Sequence, residues 1–323
     1  MRILIAVDGS NYSRAAIDFI AKRETLIKSD PVIQVLNVQW LLPVSPVRIA
    51  GKPMVHEYYE DEAEQALAPA RRRLQKAGLS PTVRFTTGRP ATEIAAAADE
   101  DKVDLLVLGS HGHSALGGML LGSVSNEVLV RTERATLIVR GKTKKYSDSL
   151  RVGIAVDGSA YGPAALKYVL SHLELFGATP SLSLIHVVPI YDLIGVTSGA
   201  EIALPAPSAE EIRALHDKAF EGALRPVRRL LKNAPVTAAE VRLSGHVGDE
   251  LSAYAEKKLD VLVMGSHGYG AFKAAVLGSV ANRVNARGSI PLLFIRSTGT
   301  SRQTTSSRSF RSHRPRRVQS TRG

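Results

Sequence analysis

Short and almost continuous runs of apolar residues alternate along this chain with longer segments of helical spacing. Residues 13–27 are of the second kind, because Ala16, Ile17, Ile20 and Ile27 would share one face of a helix. Apolar runs without polar alternation are typical of parallel strands that helices cover on both faces. The pattern therefore predicts an α/β fold with a Rossmann-like, doubly wound sheet. The predicted strands are residues 2–7, 32–38, 83–86, 104–108 and 136–139, then 152–156, 183–188, 237–243, 261–264 and 292–295.

The segments between these strands carry helix signals of different strength. Residues 56–77 form a charged helical pattern, and Gly78 suits its C-terminal end. Pro90 suits the first turn of a helix over 90–101, and a further helix is predicted over 123–132. Residues 39–55 contain three prolines and are predicted to be irregular.

The chain is a tandem duplication of one domain. Residues 2–16 and 151–165 are identical at ten of fifteen positions, and residues 109–131 and 265–287 at twelve of twenty-three. Both blocks recur in the same order, which predicts one domain over 1–143 and a second over 150–296, each with a five-stranded sheet. Residues 297–323 contain seven Arg and no acidic residue and are predicted to be a disordered tail rich in Arg and Ser.

Composition excludes several classes of protein. The chain contains no cysteine, so it has no disulfide, thiolate metal site or cysteine nucleophile. No apolar run is long enough for a transmembrane helix, and the first apolar run is too short for a signal peptide. We therefore expect a cytoplasmic protein without a membrane partner. The net charge of +12 is typical of a protein that binds nucleic acid, but seven of the positively charged residues lie in the tail.

Two strands in each copy end in residues suited to a ligand. The first strand runs into Asp8 or Asp157, and the fourth runs into a glycine-rich loop that begins at Gly109 or Gly265. Open α/β sheets bind ligands at the carboxyl ends of their strands, where the strand order reverses. We expect the carboxylates to accept ribose hydroxyls or to bind Mg²⁺ through water. The loop glycines are predicted to adopt positive φ and admit phosphates to the backbone.

The loop leads to a helix whose start predicts an anion site. Nine residues separate Gly112 from Gly122 and Ser123, and free N–H groups with the positive end of a helix dipole would face the loop. Ser123 is expected to cap this helix or to donate its hydroxyl to a phosphate. Together the two strand ends predict a nucleotide site in each copy.

Both copies resemble the universal stress protein family in its ATP-binding branch. The family pattern Gly-x2-Gly-x9-Gly-(Ser/Thr) is met in both, over residues 109–123 and 265–279. The resemblance implies the strand order 3-2-1-4-5, pairing of the two domains through their last strands, and a possible homodimer. It also implies that the ligand is an adenine nucleotide, ATP with Mg²⁺. The residues predicted to bind it are Asp8, Val38, Gly109, His111, Gly112, Gly122, Ser123 and Val124, then Asp157, Val187, Gly265, His267, Gly268, Gly278, Ser279 and Val280.

Three functions remain open at this point. We favour a nucleotide-dependent stress regulator or sensor with no catalytic residue. The alternative is a slow ATP hydrolase or nucleotidyl-transfer enzyme with His111 and His267 as acid and base, although the P-loop lysine and the nucleophile elbow are both absent. The third is nucleic-acid binding through the tail. A metal site at His111 and His113 is not expected, because the second copy has Tyr269 in place of His113.

Overall fold

The structure is a computed structural model that describes residues 1–42, 52–112, 122–140, 147–189, 208–266 and 277–296. The predicted tail, residues 43–51 of the segment predicted to be irregular, and both His267 and Gly268 lie outside these residues. None of the helices in the described ranges has the length and apolar character needed to cross a bilayer.

The first copy contains all five predicted strands, with bounds shifted by one residue at most. Its strands are β1 (Arg2–Ala6), β2 (Val32–Gln39), β3 (Thr82–Thr87), β4 (Leu105–Gly109) and β5 (Thr136–Val139). Its helices are α1 (Asn11–Ala21), α2 (Glu24–Lys28), α3 (Lys52–Lys76), α4 (Pro90–Glu100) and α5 (Ser123–Arg131).

The second copy repeats this order of strands and helices. Its strands are β6 (Arg151–Ala155), β7 (Ser181–Pro189), β8 (Ala238–Gly245), β9 (Val261–Gly265) and β10 (Leu292–Ile295). Its helices are α6 (Tyr161–Ser171), α7 (Ala209–Leu231), α8 (Val247–Lys258) and α9 (Ser279–Arg287), with a 3₁₀ turn at Leu173–Leu175.

Two predictions of helix bounds are wrong. The helix predicted over 13–27 is two helices, α1 and α2, because Arg23 leaves the helical conformation with ψ near 88°. Its guanidinium is buried and donates to the carbonyl oxygens of Ser147 and Asp148, at 2.8 and 3.4 Å, in the segment that joins the domains. Helix α3 begins at Lys52, inside the segment predicted to be irregular.

The two domains share one ten-stranded sheet in the order β3-β2-β1-β4-β5-β10-β9-β6-β7-β8. All neighbouring strands are parallel within each copy, and each half has the order that the resemblance implies. Side chains of α1, α3, α6 and α7 pack on one face of the sheet, and those of α4, α5, α8 and α9 pack on the other. The doubly wound fold is therefore confirmed.

The domains meet through their last strands, β5 and β10, which pair antiparallel. The arginine after each strand reaches the last helix of the other copy. Arg140 donates to the backbone carbonyl and to Oδ1 of Asn285 in α9. Arg296 donates to the carbonyls of Leu129 and Val130 in α5, at 2.7 and 2.9 Å. Burial at this interface lowers the pKa of Arg140 from its ordinary value. The predicted intramolecular pairing is present.

Candidate functional site

A cavity of about 730 Å³ opens at the carboxyl ends of β1, β2 and β4 in the first copy. This edge is where the connections from β1 and β4 leave for opposite faces of the sheet, as expected for a ligand site in a doubly wound fold. All eight residues that the sequence predicts for the first copy line this cavity. They are Asp8, Val38, Gly109, His111, Gly112, Gly122, Ser123 and Val124.

The turn after β1 presents Asp8 at the cavity wall. Gly9 has φ of 81°, a left-handed conformation that glycine adopts without strain. The Asp8 Oδ1 atom accepts a hydrogen bond from the Ser10 backbone N–H at 3.0 Å, and the Ser10 hydroxyl caps α1 by accepting from the Ser13 N–H. The Asp8 carboxylate is exposed, so this turn holds an acceptor at the edge of the sheet.

The second copy builds the same turn from the equivalent residues. Gly158 has φ of 84°, and Asp157 Oδ1 accepts from the backbone N–H and the hydroxyl of Ser159, at 2.9 and 2.5 Å. Asp157 is also exposed, at the end of β6. The predicted ribose acceptors thus have matching local structure in both copies.

A buried side chain on the second strand of each copy supports this turn. Asn37 Nδ2 donates to the carbonyl of Val7 at 2.8 Å, and His186 Nδ1 lies 2.7 Å from the carbonyl of Val156. Because a carbonyl can only accept, Nδ1 of His186 carries the proton. Each bond holds the residue just before the aspartate. Asn37 and His186 therefore have the same structural role, although the residue types differ.

The predicted positive φ at the loop glycines is wrong for Gly109 and Gly112, since neither is in the left-handed region. Glycine occupies both positions because neighbouring residues lie too close to leave room for a side chain. A Cβ on Gly109 would lie 2.7 to 2.9 Å from Tyr12 and the Ser13 backbone, at the start of α1. A Cβ on Gly112 would lie 2.7 Å from Asp8 Oδ2. Gly109 therefore permits packing against α1, whereas Gly112 leaves room for the Asp8 carboxylate.

Helix α5 starts at the cavity, and of the two roles expected for Ser123 the capping role is wrong, while donation to a phosphate stays a prediction. The N-cap is Gly122, and Ser123 is the first helical residue and caps nothing. Gly122 N–H donates to the Ser110 carbonyl at 2.8 Å, and Gly278 N–H donates to the Ser266 carbonyl at 3.0 Å. No side chain of the described residues caps either helix. Among the described residues, no side chain therefore competes for the first-turn N–H groups, and the helix dipole is directed at the cavity.

His111 is held by its neighbours on the cavity wall. Its Nδ1 lies 3.1 Å from the Ser110 hydroxyl, and its ring packs against Tyr12 with the centroids 5.0 Å apart. Within the described ranges, no carboxylate forms an ion pair with His111, and no group of three acidic or histidine side chains could hold a metal ion.

The sequence did not predict several residues that line the cavity away from the glycine loop. Trp40 follows β2, Glu62 and Gln65 lie on α3, and Pro90 and Ile94 lie on α4. The charged helical pattern over residues 56–77 predicts this helix, but it does not indicate which strand end the helix overhangs. In the second copy, Val187 is buried on β7, Gly265 ends β9, and Ser279 and Val280 open α9.

A family model for the universal stress proteins matches residues 1–140 and 150–296, almost the whole described chain. The chain belongs to the universal stress protein family. This tandem universal stress protein is 26% identical over 306 residues to a universal stress protein of Mycolicibacterium smegmatis, covering 91% of this chain and 96% of that protein. One domain is 31% identical over 147 residues to the universal stress protein YxiE of Bacillus subtilis, covering 43% of this chain and 98% of YxiE.

A solved structure has the same fold as this tandem universal stress protein over most of its length. The crystal structure of a universal stress protein from Archaeoglobus fulgidus superposes with a TM-score of 0.63 at 22% identity. The superposition covers 91% of this chain and 98% of the other. The Mycolicibacterium and Archaeoglobus proteins match this chain over nearly their whole lengths, so they share the arrangement of two domains in one chain.

Proposed function

We propose that each domain of this universal stress protein binds an adenine nucleotide, ATP, and that occupancy changes the conformation by which the protein regulates a stress response. One observation carries the proposal: the eight residues predicted from the first copy line a single cavity. A chance set of turn residues has no reason to converge on one concave site at the strand ends. A volume of about 730 Å³ also falls within the usual range for small-molecule sites.

The charge pattern of the cavity supports a phosphorylated ligand. The first turn of α5 supplies N–H donors and the positive end of a dipole, and Gly112 leaves the backbone open beside them. The exposed carboxylate of Asp8 lies across Gly112 and is suited to ribose hydroxyls. In this arrangement the phosphates of a nucleotide would meet N–H donors at the glycine loop, and its sugar hydroxyls would meet the acceptor Asp8.

Mg²⁺ would enter this site with the nucleotide. The residues described here contain no cluster that could hold a metal ion unaided, but Mg²⁺ commonly binds through one or two carboxylates, waters and substrate phosphates. Asp8 is suited to hold such an ion through water, and Asp157 has the same place in the second copy. The ion would neutralise phosphate charge, while the helix N-terminus and the loop position the phosphates.

The second copy supports a second site. Asp157, Gly265, Gly278 and Ser279 occupy the positions of their first-copy equivalents. Both copies share the serine N–H bond to the aspartate and the glycine N–H bond at the helix start. We therefore expect two nucleotides per chain. The C-terminal site also requires His267 and Gly268, which stay predictions because they lie outside the described residues.

Calorimetry and turnover together test this function. ATP titrated into the full chain with Mg²⁺ should bind at two sites, and mass spectrometry of the recovered ligand should show intact ATP. Steady release of phosphate over many turnovers would instead support the hydrolase with His111 as acid or base. No heat and no retained nucleotide would contradict the proposal. Nucleic-acid binding by the tail stays a prediction that a salt titration with and without residues 297–323 would test.

A further inference from the structure

The cavity of the first copy has a wall that no residue of the family motif supplies. Helix α3 has 25 residues and is about 37 Å long, whereas β2 has eight residues and spans about 26 Å. Its N-terminal turns therefore project past the carboxyl edge of the sheet. The backbone N–H of Leu42 donates to the Tyr59 hydroxyl at 2.7 Å and so holds the segment after β2 against this overhang.

Three side chains of this wall line the cavity with a defined chemistry. Trp40 is the only tryptophan of the chain and is 63% exposed. Gln65 Nε2 donates to Glu62 Oε1 at 3.3 Å. With that bond made, the second oxygen of Glu62 and the amide oxygen of Gln65 remain as acceptors. The wall thus offers an aromatic face and two acceptors, which suit a flat ring that carries N–H donors.

The order of strands places this wall at the base end of a bound nucleotide. The phosphate groups belong at β4 and α5, Asp8 ends β1, and Trp40 follows β2. From β4 to β2 is two strand spacings, about 10 Å. A ligand whose phosphates lie at the helix start and whose sugar meets Asp8 therefore directs its base toward Trp40 and α3.

The second copy has a different wall. Both long helices share Ala-Leu-x-Pro-x-Arg-Arg, with Pro69 and Pro226 inside the helix, and this aligns them at an offset of 157. Ala219 and Gly222 then stand where the first copy has Glu62 and Gln65. A Cβ on Gly222 would meet nothing within 4 Å. Pro189 stands at the position of Trp40, so the described residues that align with this wall carry neither its aromatic face nor its acceptors.

We propose that Trp40, Glu62 and Gln65 form a base-recognition wall that makes the N-terminal site selective for a base with an exocyclic amine, and that the C-terminal site has no such selectivity. The ring stacks on Trp40 while the amine donates to the acceptors on α3. This inference rests on the proposed nucleotide site. It attributes selectivity for the base to one domain only. The duplicated motif cannot account for this difference, because the motif is the same in both copies.

Intrinsic fluorescence of the full chain tests this wall, since Trp40 reports on the N-terminal cavity alone. The probes are ATP and purine riboside 5′-triphosphate, which differ only in the exocyclic amine. ATP should quench Trp40 and bind at least tenfold more tightly than the analogue, as expected for a hydrogen bond to a charged acceptor. Glu62→Ala, which installs the residue of the second copy, should reduce this preference to less than twofold. Alanine favours helix, so α3 is retained.

Glu64→Ala is the matched control. It removes an acidic side chain two residues away that pairs with Arg71 and does not line the cavity, so the tenfold preference should persist. Equal binding of both probes by the unaltered chain would overturn the wall while leaving nucleotide binding intact. A preference that survives Glu62→Ala, or calorimetric binding at two sites without a change in Trp40 fluorescence, would also overturn it. Absence of any binding would overturn the proposed function itself.

Discussion

Asn37→Ala should destabilise the first domain and weaken its nucleotide site together. Asn37 is buried, and its Nδ2 donates to the Val7 carbonyl while its Oδ1 accepts from Gln39 Nε2 at 2.7 Å. Alanine removes both bonds and leaves the Val7 carbonyl without this donor. A buried polar group left without a partner costs about 1–3 kcal/mol. We therefore expect the free energy of unfolding to fall by about 2 kcal/mol.

The duplicated chain supplies a matched variant for this experiment. Asn37→His installs the residue of the second copy, where His186 reaches the equivalent carbonyl. The His186 ring lies 6.2 Å from the ring of Phe220, and the first copy has Ala63 at that aligned position. A histidine at position 37 therefore has room to donate from Nδ1 to Val7. Asn37→His should recover at least half of the stability that Asn37→Ala loses.

Urea denaturation followed by Trp40 fluorescence measures the stability of the domain that contains both residues. Circular dichroism follows the whole chain and shows whether the two domains unfold together. Val7 immediately precedes Asp8, so the affinity of the first site for ATP should fall in Asn37→Ala and recover in Asn37→His. A change in unfolding free energy below about 0.5 kcal/mol, typical of a neutral surface substitution, would refute the reasoning. So would an Asn37→His variant no more stable than Asn37→Ala.

Three further predictions follow from individual contacts. Gly112→Val should lower the affinity of the first site for ATP at least tenfold in calorimetry with little change in the ligand-free melting temperature, because its Cβ would displace Asp8; unchanged affinity would contradict this. Arg296→Leu should lower the free energy of unfolding by about 2 kcal/mol in urea, since two carbonyls of α5 lose their donor; a loss below about 0.5 kcal/mol would show that water replaces it. The Arg228 hydrogen bond holds the pKa of Glu240 below its ordinary value, so the stability from this pair is present above the ordinary carboxyl pKa and is lost as the pH falls through the lowered one. Arg228→Leu should flatten that acid limb in pH-dependent denaturation, and an unaltered slope would exclude the pair as its source.

The sequence by itself determined the duplication, the doubly wound class and one part of the lining of the first cavity. These follow from patterns that act over short distances along the chain. A parallel strand buried on both faces needs an apolar run, and a turn after it needs residues such as Asp8 and Gly9. The rule that ligands bind at the carboxyl ends of strands then brings separate motifs to one edge. Together with the family resemblance, this rule gave eight of the residues that line the first cavity.

Only the tertiary structure decided what depends on neighbours far apart in the chain. Arg23 ends a helix whose spacing continues to Ile27, because carbonyls more than 120 residues away accept from its guanidinium. Position 112 is a glycine because a larger residue there would collide with Asp8. Trp40 and Glu62 share a wall because α3 overhangs the end of β2. Local periodicity determines which segments become helix or strand. Contacts between distant segments depend instead on how the chain folds back on itself, and no periodic pattern in a single sequence indicates which segments will meet.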